Sequence, residues 1–142
     1  MKVFLDTNVW LSATIFSGLC EEILLQCAEF GWLYSSPLVR QEAHQVLQRK
    51  FARMPHACKL FDAVWQVTQL VDDVAQPAAD NDARLIAAST AADMESFVTG
   101  DKRVLGWGKT QEALHAMKIV PPRQAWQLLF GAPHRPPSPT ST

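Results

Sequence analysis

Four acidic side chains stand at positions where a parallel α/β protein would bring them together. Asp6 and Asp101 directly follow strand-like segments, and Glu42 lies two turns into the helix that follows another strand. Asp82 opens the helix that precedes the strand ending at Asp101. Because strand-to-helix loops gather outside the carboxyl ends of parallel strands, these side chains are expected to meet at one edge of the sheet.

The chemistry of such a cluster follows from its charge. Carboxylates brought together without matching cations repel one another, and burying them costs free energy unless a positive charge is present. A hard divalent cation removes this repulsion, and a set of oxygen ligands favours Mg²⁺ or Mn²⁺ over zinc. Such an ion polarises a phosphodiester and lowers the pKa of an attacking water, so the pattern favours metal-dependent cleavage of nucleic acid.

Each acid also has a simpler explanation. Asp82, together with its neighbour Asp80, could cap the start of a helix, and Asp80 is the rival for the third acidic position. Asp101 could be an ordinary turn residue, and Glu42 could be solvated or paired with an arginine. Asp6 could cap the element after its strand. The combination of the four acids, more than any one of them, favours a metal site.

The elements that must position these acids alternate between strand and helix. Apolar runs bounded by turn residues predict strands at "KVFL", "GWLYSSP", "SFVTGD" and "KIVPP", with helical patterns between them. This alternation predicts an α/β fold, a three-layer α/β/α sandwich around a mainly parallel sheet of four to five strands. The 142-residue length fits one domain, residues 1–130, followed by a proline- and serine-rich tail, residues 131–142, that we expect to be disordered.

Two segments have patterns that predict their secondary structure. The apolar residues between positions 57 and 71 recur at helical spacing, which predicts one amphipathic helix over this range. The segment "GWGKT", with Gly106 and Gly108, is interpreted as a loop before a short helix.

Charge and cysteine content narrow the class of function. The net charge of −1 provides no global basic field, so nucleic-acid contacts must be local, with Lys102, Arg103 and Arg49 as candidates for binding phosphate. The three cysteines are an odd count with no CxxC pair, so no disulfide framework or zinc knuckle is expected, and the four histidines show no paired spacing, so no histidine metal site is expected. No apolar run is long enough for a membrane span, and we expect a cytoplasmic protein.

The sequence resembles the PIN-domain nucleases, most closely the toxin components of toxin–antitoxin systems related to the VapC-type toxins. Five segments, spread in family order from Lys2 to Phe130, carry the resemblance: "FLDTNVWLSA", "SSPLVRQEAHQVLQRKF", "DNDARLIAAS", "SFVTGDKRVL" and "KIVPPRQAWQLL". The resemblance implies a PIN-like fold and one or two Mg²⁺ or Mn²⁺ ions held by four acids, with a shell of polar residues that support them. The acids fall on Asp6, Glu42, Asp82 and Asp101, and the supporting residues on Thr7, Asn8 and Thr99.

The resemblance also implies an RNA substrate, a cognate antitoxin protein that covers the acidic groove, and a homodimer. One position departs from the family pattern, because close relatives often carry a further acid where this chain has Arg103. The arginine could weaken a second metal site or bind a substrate phosphate. The leading hypothesis is a metal-dependent endoribonuclease toxin, and the alternative is an inactive PIN scaffold that binds protein or RNA. A phosphatase with Asp6 as nucleophile ranks lower, because such enzymes need a second aspartate where this chain has Asn8.

Overall fold

The computed structural model describes residues 1–74 and 80–135, with the course of the backbone alone for 111–115. Its elements follow one another in this order: β1 (Val3–Leu5), α1 (Thr7–Ile15), α2 (Leu19–Glu29), β2 (Leu33–Ser35), α3 (Pro37–Lys50), α4 (Pro55–Trp65), β3 (Gln69–Leu70), α5 (Asn81–Ala91), β4 (Ser96–Val98), α6 (Lys102–His115), β5 (Lys118–Val120) and α7 (Pro122–Phe130).

The five strands form one sheet in the order β3-β2-β1-β4-β5, and every neighbouring pair is parallel. The prediction of an α/β fold with a mainly parallel sheet of four to five strands is therefore confirmed. Seven helices are present in the described part of the chain, an arrangement compatible with the predicted three-layer sandwich.

The strand order fixes where a ligand site can form. The chain moves outward from β1 through β2 to β3, and then returns to place β4 on the opposite side of β1. The connections after β1 and β4 therefore leave the sheet in opposite directions, and a crevice opens between the carboxyl ends of these two strands. Asp6 follows β1 and Asp101 lies three residues after the end of β4, so both stand at this crevice.

The two strands that border the crevice are held by a fully buried core. All three residues of β1 and all three of β4 are buried, as expected for central strands of a parallel sheet. Phe4 stands opposite Phe97 in the register, and their rings stack with centroids 5.4 Å apart. This packing fixes the alignment of β1 with β4 and therefore the relative positions of the residues that follow them.

The prediction of one helix over residues 57–71 is wrong beyond Trp65, where α4 ends. The chain turns there and forms the short strand β3, in which Gln69 pairs with Tyr34 and Leu70 with Ser35. The N–H of Val71 donates to the Ser35 carbonyl at 2.8 Å. The helical spacing of the apolar residues continues past position 65, but hydrogen bonding to the sheet determines the conformation of the last part of the segment.

The prediction of a loop at "GWGKT" is also wrong, because α6 runs through both glycines. Gly108 is buried where this helix packs on β5, and a Cβ atom built on it would lie 2.8 Å from the Cβ of Ile119. The glycine is therefore explained by the close approach of a helix to a strand. A Cβ atom on Gly106 would meet nothing within 4 Å.

The start of the segment predicted to be disordered is described as far as residue 135. His134 forms a hydrogen bond with Glu22, and its ring lies edge-on to Trp126. Residues 136–142 lie outside the described residues, so disorder of the tail stays a prediction. In the described part of the chain, no single helix combines the length and apolar character needed to cross a membrane, and α1 and α2 meet that test only as a pair bent by 106°.

The two glycines of α6 make a matched test of the packing against β5. We expect Gly108→Ala to lower the free energy of unfolding by about 1–3 kcal/mol relative to Gly106→Ala, because only the first adds a methyl group to a filled space. Gly106→Ala should be neutral or stabilising, since alanine favours helix over glycine by about 1 kcal/mol. Urea denaturation of both variants measures the difference, and equal stabilities would contradict the packing described for α6.

Candidate metal centre

Asp6 lies at the junction of β1 and α1, where the chain leaves the sheet. In the register between β1 and β4, Leu5 stands opposite Val98, which brings Asp6 beside Thr99. The Thr99 hydroxyl donates to Oδ2 of Asp6 at 2.8 Å, and the N–H of Thr7 donates to Oδ1 at 2.8 Å. Asp6 therefore caps α1, as one interpretation of the sequence held, and it also faces β4 at the crevice.

Asp6 is 2 % exposed, which is unusual for an ionisable residue. Desolvation by this burial raises its pKa from the ordinary 3.8 to about 6, although the hydrogen bonds from Thr99 and Thr7 act in the opposite direction. The negative charges of Asp82 and Glu42 raise the pKa of Asp6 further. These two acids are therefore close enough to repel Asp6, and the site favours an added positive charge.

Asn8 and Thr99 join the loops that follow β1 and β4. The Asn8 amide nitrogen donates to Oδ2 of Asp6 at 3.1 Å and to the Thr99 hydroxyl at 3.2 Å. Its carbonyl oxygen accepts the N–H of Gly100 at 2.9 Å. Asn8 and the fully buried Thr99 thus orient the Asp6 carboxylate with neutral donors that leave its charge uncompensated.

Glu42 projects from α3 toward the same edge of the sheet. Its Oε1 accepts the hydroxyl of Thr7 at 2.8 Å, and its Oε2 accepts the side-chain amide of Asn81 at 3.1 Å. Thr7 is the neighbour of Asp6, and Asn81 is the neighbour of Asp82. The Glu42 carboxylate therefore links the start of α1 to the start of α5.

Asp101 stands at the start of α6, on the other side of Thr99. Its Oδ1 accepts the N–H of Arg103 at 2.8 Å, so the carboxylate caps the helix. Its own N–H donates to the Thr99 hydroxyl at 3.1 Å. The same hydroxyl thus contacts both Asp6 and Asp101, and Oδ2 of Asp101 is not engaged by the cap.

The two candidates for the third acid have different roles. Asp80 caps α5, since its Oδ1 accepts the N–H of Ala83 at 2.8 Å. Asp82 lies in the first turn and acts on the pKa of Asp6, which favours Asp82 as the third acid of the cluster. Both acids contact Arg103, whose Nη2 lies 2.6 Å from Oδ2 of Asp82 and 3.2 Å from Oδ2 of Asp80.

The basic residues proposed for phosphate binding are placed differently from one another. Lys102 is exposed at the start of α6, next to Asp101. Arg103 is engaged with Asp80 and Asp82, and its guanidinium also lies over the Trp107 ring at 5.0 Å. Arg49 is exposed in the last turn of α3, about 10 Å along the helix axis from Glu42 and farther from the crevice. Only Lys102 therefore stands beside the acids without a contact to them in the described residues.

The four predicted acids fit a magnesium or manganese ion by chemistry, because all their donor atoms are oxygens and Arg103 is the one cation paired with any of them in the described chain. The ligand atoms of these acids are not close together in the structure. Among the described residues, no three of these acids bring ligand atoms within 4.8 Å of one another. Mg²⁺ commonly uses one or two carboxylates directly and keeps several waters, so an ion held by these acids would contact some of them through water.

A scan against models of known protein families finds no match for this chain, and a search of characterised proteins finds none either. The positions of the acids are therefore known from the structure alone, and the PIN-domain resemblance stays a prediction.

The sequence did not predict that Asn81 contacts Glu42 or that Arg103 pairs with Asp82 and Asp80. Asn81 lies beside Asp82 in "DND", but its sequence spacing gives no sign that it reaches Glu42.

The burial of Asp6 predicts a pH dependence of stability. Because its pKa is higher in the folded chain than in the unfolded chain, the folded state binds more protons between about pH 4 and pH 6, and stability falls as the pH rises through this window. Asp6→Asn removes the buried charge. We expect it to raise the free energy of unfolding at pH 7, with chelator present, by roughly 1–3 kcal/mol and to flatten the pH profile.

Denaturant unfolding at pH 4 and pH 7 measures this effect, and the exposed Asp72→Asn is the matched control, expected to stay within about 0.5 kcal/mol. If Asp6→Asn were less stable than the wild type at pH 7, the charged Asp6 carboxylate would stabilise the folded state, which contradicts the prediction.

Proposed function

We propose that this chain is a Mg²⁺- or Mn²⁺-dependent endoribonuclease of the PIN-domain type, acting as the toxin of a toxin–antitoxin system. The observation that carries the proposal is the buried Asp6 carboxylate at the crevice between β1 and β4, with its pKa raised by burial and by Asp82 and Glu42. A carboxylate in this position costs stability in the folded protein, which is typical of a functional site. The resemblance of the surrounding segments to PIN nucleases supports the choice of reaction.

Asp6, Glu42, Asp82 and Asp101 are the residues that would hold the metal. When bound, the ion would polarise the scissile phosphodiester and lower the pKa of the attacking water. The protein's own contribution is to orient the ligands. Thr99, Asn8 and Thr7 hold the Asp6 and Glu42 carboxylates by hydrogen bonds and so fix their orientation.

The substrate and partners are proposed from the same reasoning. Lys102 offers an exposed cation beside Asp101 and is the best-placed residue to contact an RNA phosphate. With a net charge of −1, the chain attracts RNA only through such local contacts. A homodimer and an antitoxin that covers the acidic crevice are proposed from the resemblance alone, whereas a cytoplasmic location is proposed from the lack of a long apolar run in the sequence.

A second candidate function rests on Arg103. Its guanidinium already neutralises part of the charge of Asp82 and Asp80, where the family pattern has a further acid. An arginine that takes the place of a cation would leave a PIN scaffold with weak or no activity, which binds RNA or protein instead. The nuclease is preferred because Asp6, Glu42 and Asp101 have no cationic side chain as an ion-pair partner in the described part of the chain.

The nuclease proposal predicts metal-dependent cleavage of single-stranded RNA by the purified chain. We expect activity with Mg²⁺ or Mn²⁺ and none with a chelator, and a loss of about a hundredfold or more in Asp6→Asn and Asp101→Asn, because a metal supplies several kcal/mol of transition-state stabilisation. A fluorescent RNA of mixed sequence measures the rate, with Asp72→Asn as the control. Cleavage that persists in both site variants would exclude these acids from the reaction.

The ion pair of Arg103 predicts an effect on metal affinity. Removing the guanidinium by Arg103→Gln frees the Asp82 carboxylate, so we expect Mn²⁺ to bind about two- to tenfold more tightly. Calorimetric titration measures the change, and Lys102→Gln is the matched control, since it removes a neighbouring charge that contacts none of the four acids among the described residues. Weaker binding in Arg103→Gln would show that the arginine helps to assemble the site.

A further inference from the structure

Three side chains with metal-binding atoms meet between α3 and α4, and none of them is one of the acids described above. Nε2 of His44 lies 2.8 Å from Oδ1 of Asp62, and Sγ of Cys58 lies 3.8 Å from Oδ2 of the same aspartate. The ligand atoms of the three residues all lie within 4.8 Å of one another. In the described residues this is the one group of three histidine, cysteine or acidic side chains that satisfies this spacing.

The helices explain why the three side chains converge. Cys58 and Asp62 are four residues apart on α4, so they lie one above the other on the same face. His44 approaches from α3, and its ring packs edge-on against Phe61 with centroids 5.2 Å apart. The histidine side chain is 19 % exposed and that of Asp62 is 47 % exposed, so the ring is held in place while the cluster stays open to solvent.

The donor set differs in chemistry from the acidic crevice. A thiolate, an imidazole and one carboxylate are the ligands preferred by Zn²⁺ and related borderline transition metals, whereas the crevice offers oxygen alone. Around a tetrahedral zinc ion, bonds of about 2.0–2.3 Å place ligand atoms about 3.3–3.8 Å apart. In the structure Sγ of Cys58 lies 3.8 Å from Oδ2 of Asp62, whereas Nε2 of His44 lies 2.8 Å from Oδ1, so the His44–Asp62 pair must open by about 0.5 Å as the ion replaces the hydrogen bond between them.

We propose that His44, Cys58 and Asp62 form a second metal site, specific for Zn²⁺ or a similar transition metal, that clamps α3 to α4. Three protein ligands leave the fourth position of the ion to water. The site does not depend on the proposed nuclease function, because none of its ligands belongs to the acidic crevice.

The test uses the full chain, stripped of metal and kept reduced with a phosphine, and titrated with Co²⁺ as a spectroscopic substitute for zinc. We expect a thiolate-to-cobalt charge-transfer band that saturates at one equivalent and is abolished when Zn²⁺ displaces the cobalt. Cys58→Ser should remove the band, and His44→Gln should weaken binding by about tenfold or more. Asp6→Asn should retain the band, which separates this site from the acidic crevice.

Matched controls distinguish the cluster from chance binding. Cys20→Ser and His56→Gln alter a partly exposed cysteine and an exposed histidine outside the cluster, and both should bind cobalt as the wild type does. The absence of a thiolate band in the wild-type chain would overturn the proposal, and so would a band that survives Cys58→Ser. Because the first of these outcomes is measured on the unaltered chain, the test does not depend on any variant folding correctly.

Discussion

The crevice contains a buried carboxylate, that of Asp6, which is held by neutral hydrogen-bond donors. The Thr99 hydroxyl, the Asn8 amide and the Thr7 N–H all contact it, and together they satisfy its hydrogen bonds without supplying a positive charge. Burial outweighs these bonds, since the pKa of Asp6 is raised to about 6. Near neutral pH the folded chain therefore carries a charge that it does not compensate, and this deficit is the strongest physical argument for a cation at this site.

The remaining acids reach the crevice from elements that are distant in sequence. The strand order places β4 beside β1, so the loops after these strands share one edge of the sheet and the Thr99 hydroxyl contacts both Asp6 and Asp101. Glu42 lies on α3 and accepts hydrogen bonds from Thr7 at the start of α1 and from Asn81 at the start of α5. The fold thus surrounds Asp6 with further negative charge, and Arg103 offsets only the part contributed by Asp82 and Asp80.

Much of the fold could be predicted from the sequence, because the strands that matter most are short buried runs. The segment of β1 is apolar, that of β4 is apolar apart from Ser96, and polar residues follow both, so their type and the position of the acids after them were recognisable. β3 was missed because its two residues are exposed and carry no apolar alternation. The glycines of α6 were wrongly interpreted as a loop. Gly108 is required by its close approach to Ile119 on β5, which the sequence of the helix does not reveal.

The candidate site was predictable only in part. Spacing along the chain indicated which acids follow strands, since that depends on local pattern. It could not show that Arg103 pairs with Asp82, because this contact joins the starts of α5 and α6. The approach of His44 to Asp62 was hidden for the same reason, since only the packing of α3 on α4 brings the two side chains together. Pairing between elements is set by the tertiary structure, and single-sequence patterns carry little information about it.

We propose that the carboxylate cluster around Asp6 binds a divalent cation. Calorimetric titration of Mn²⁺ into the metal-free wild-type chain and into Glu42→Gln tests this proposal, because the substitution removes one negative charge from the cluster and keeps the shape of the side chain. We expect saturable binding to the wild type and binding at least about tenfold weaker in Glu42→Gln. Equal affinities in the two chains, or no binding to the wild type, would contradict it.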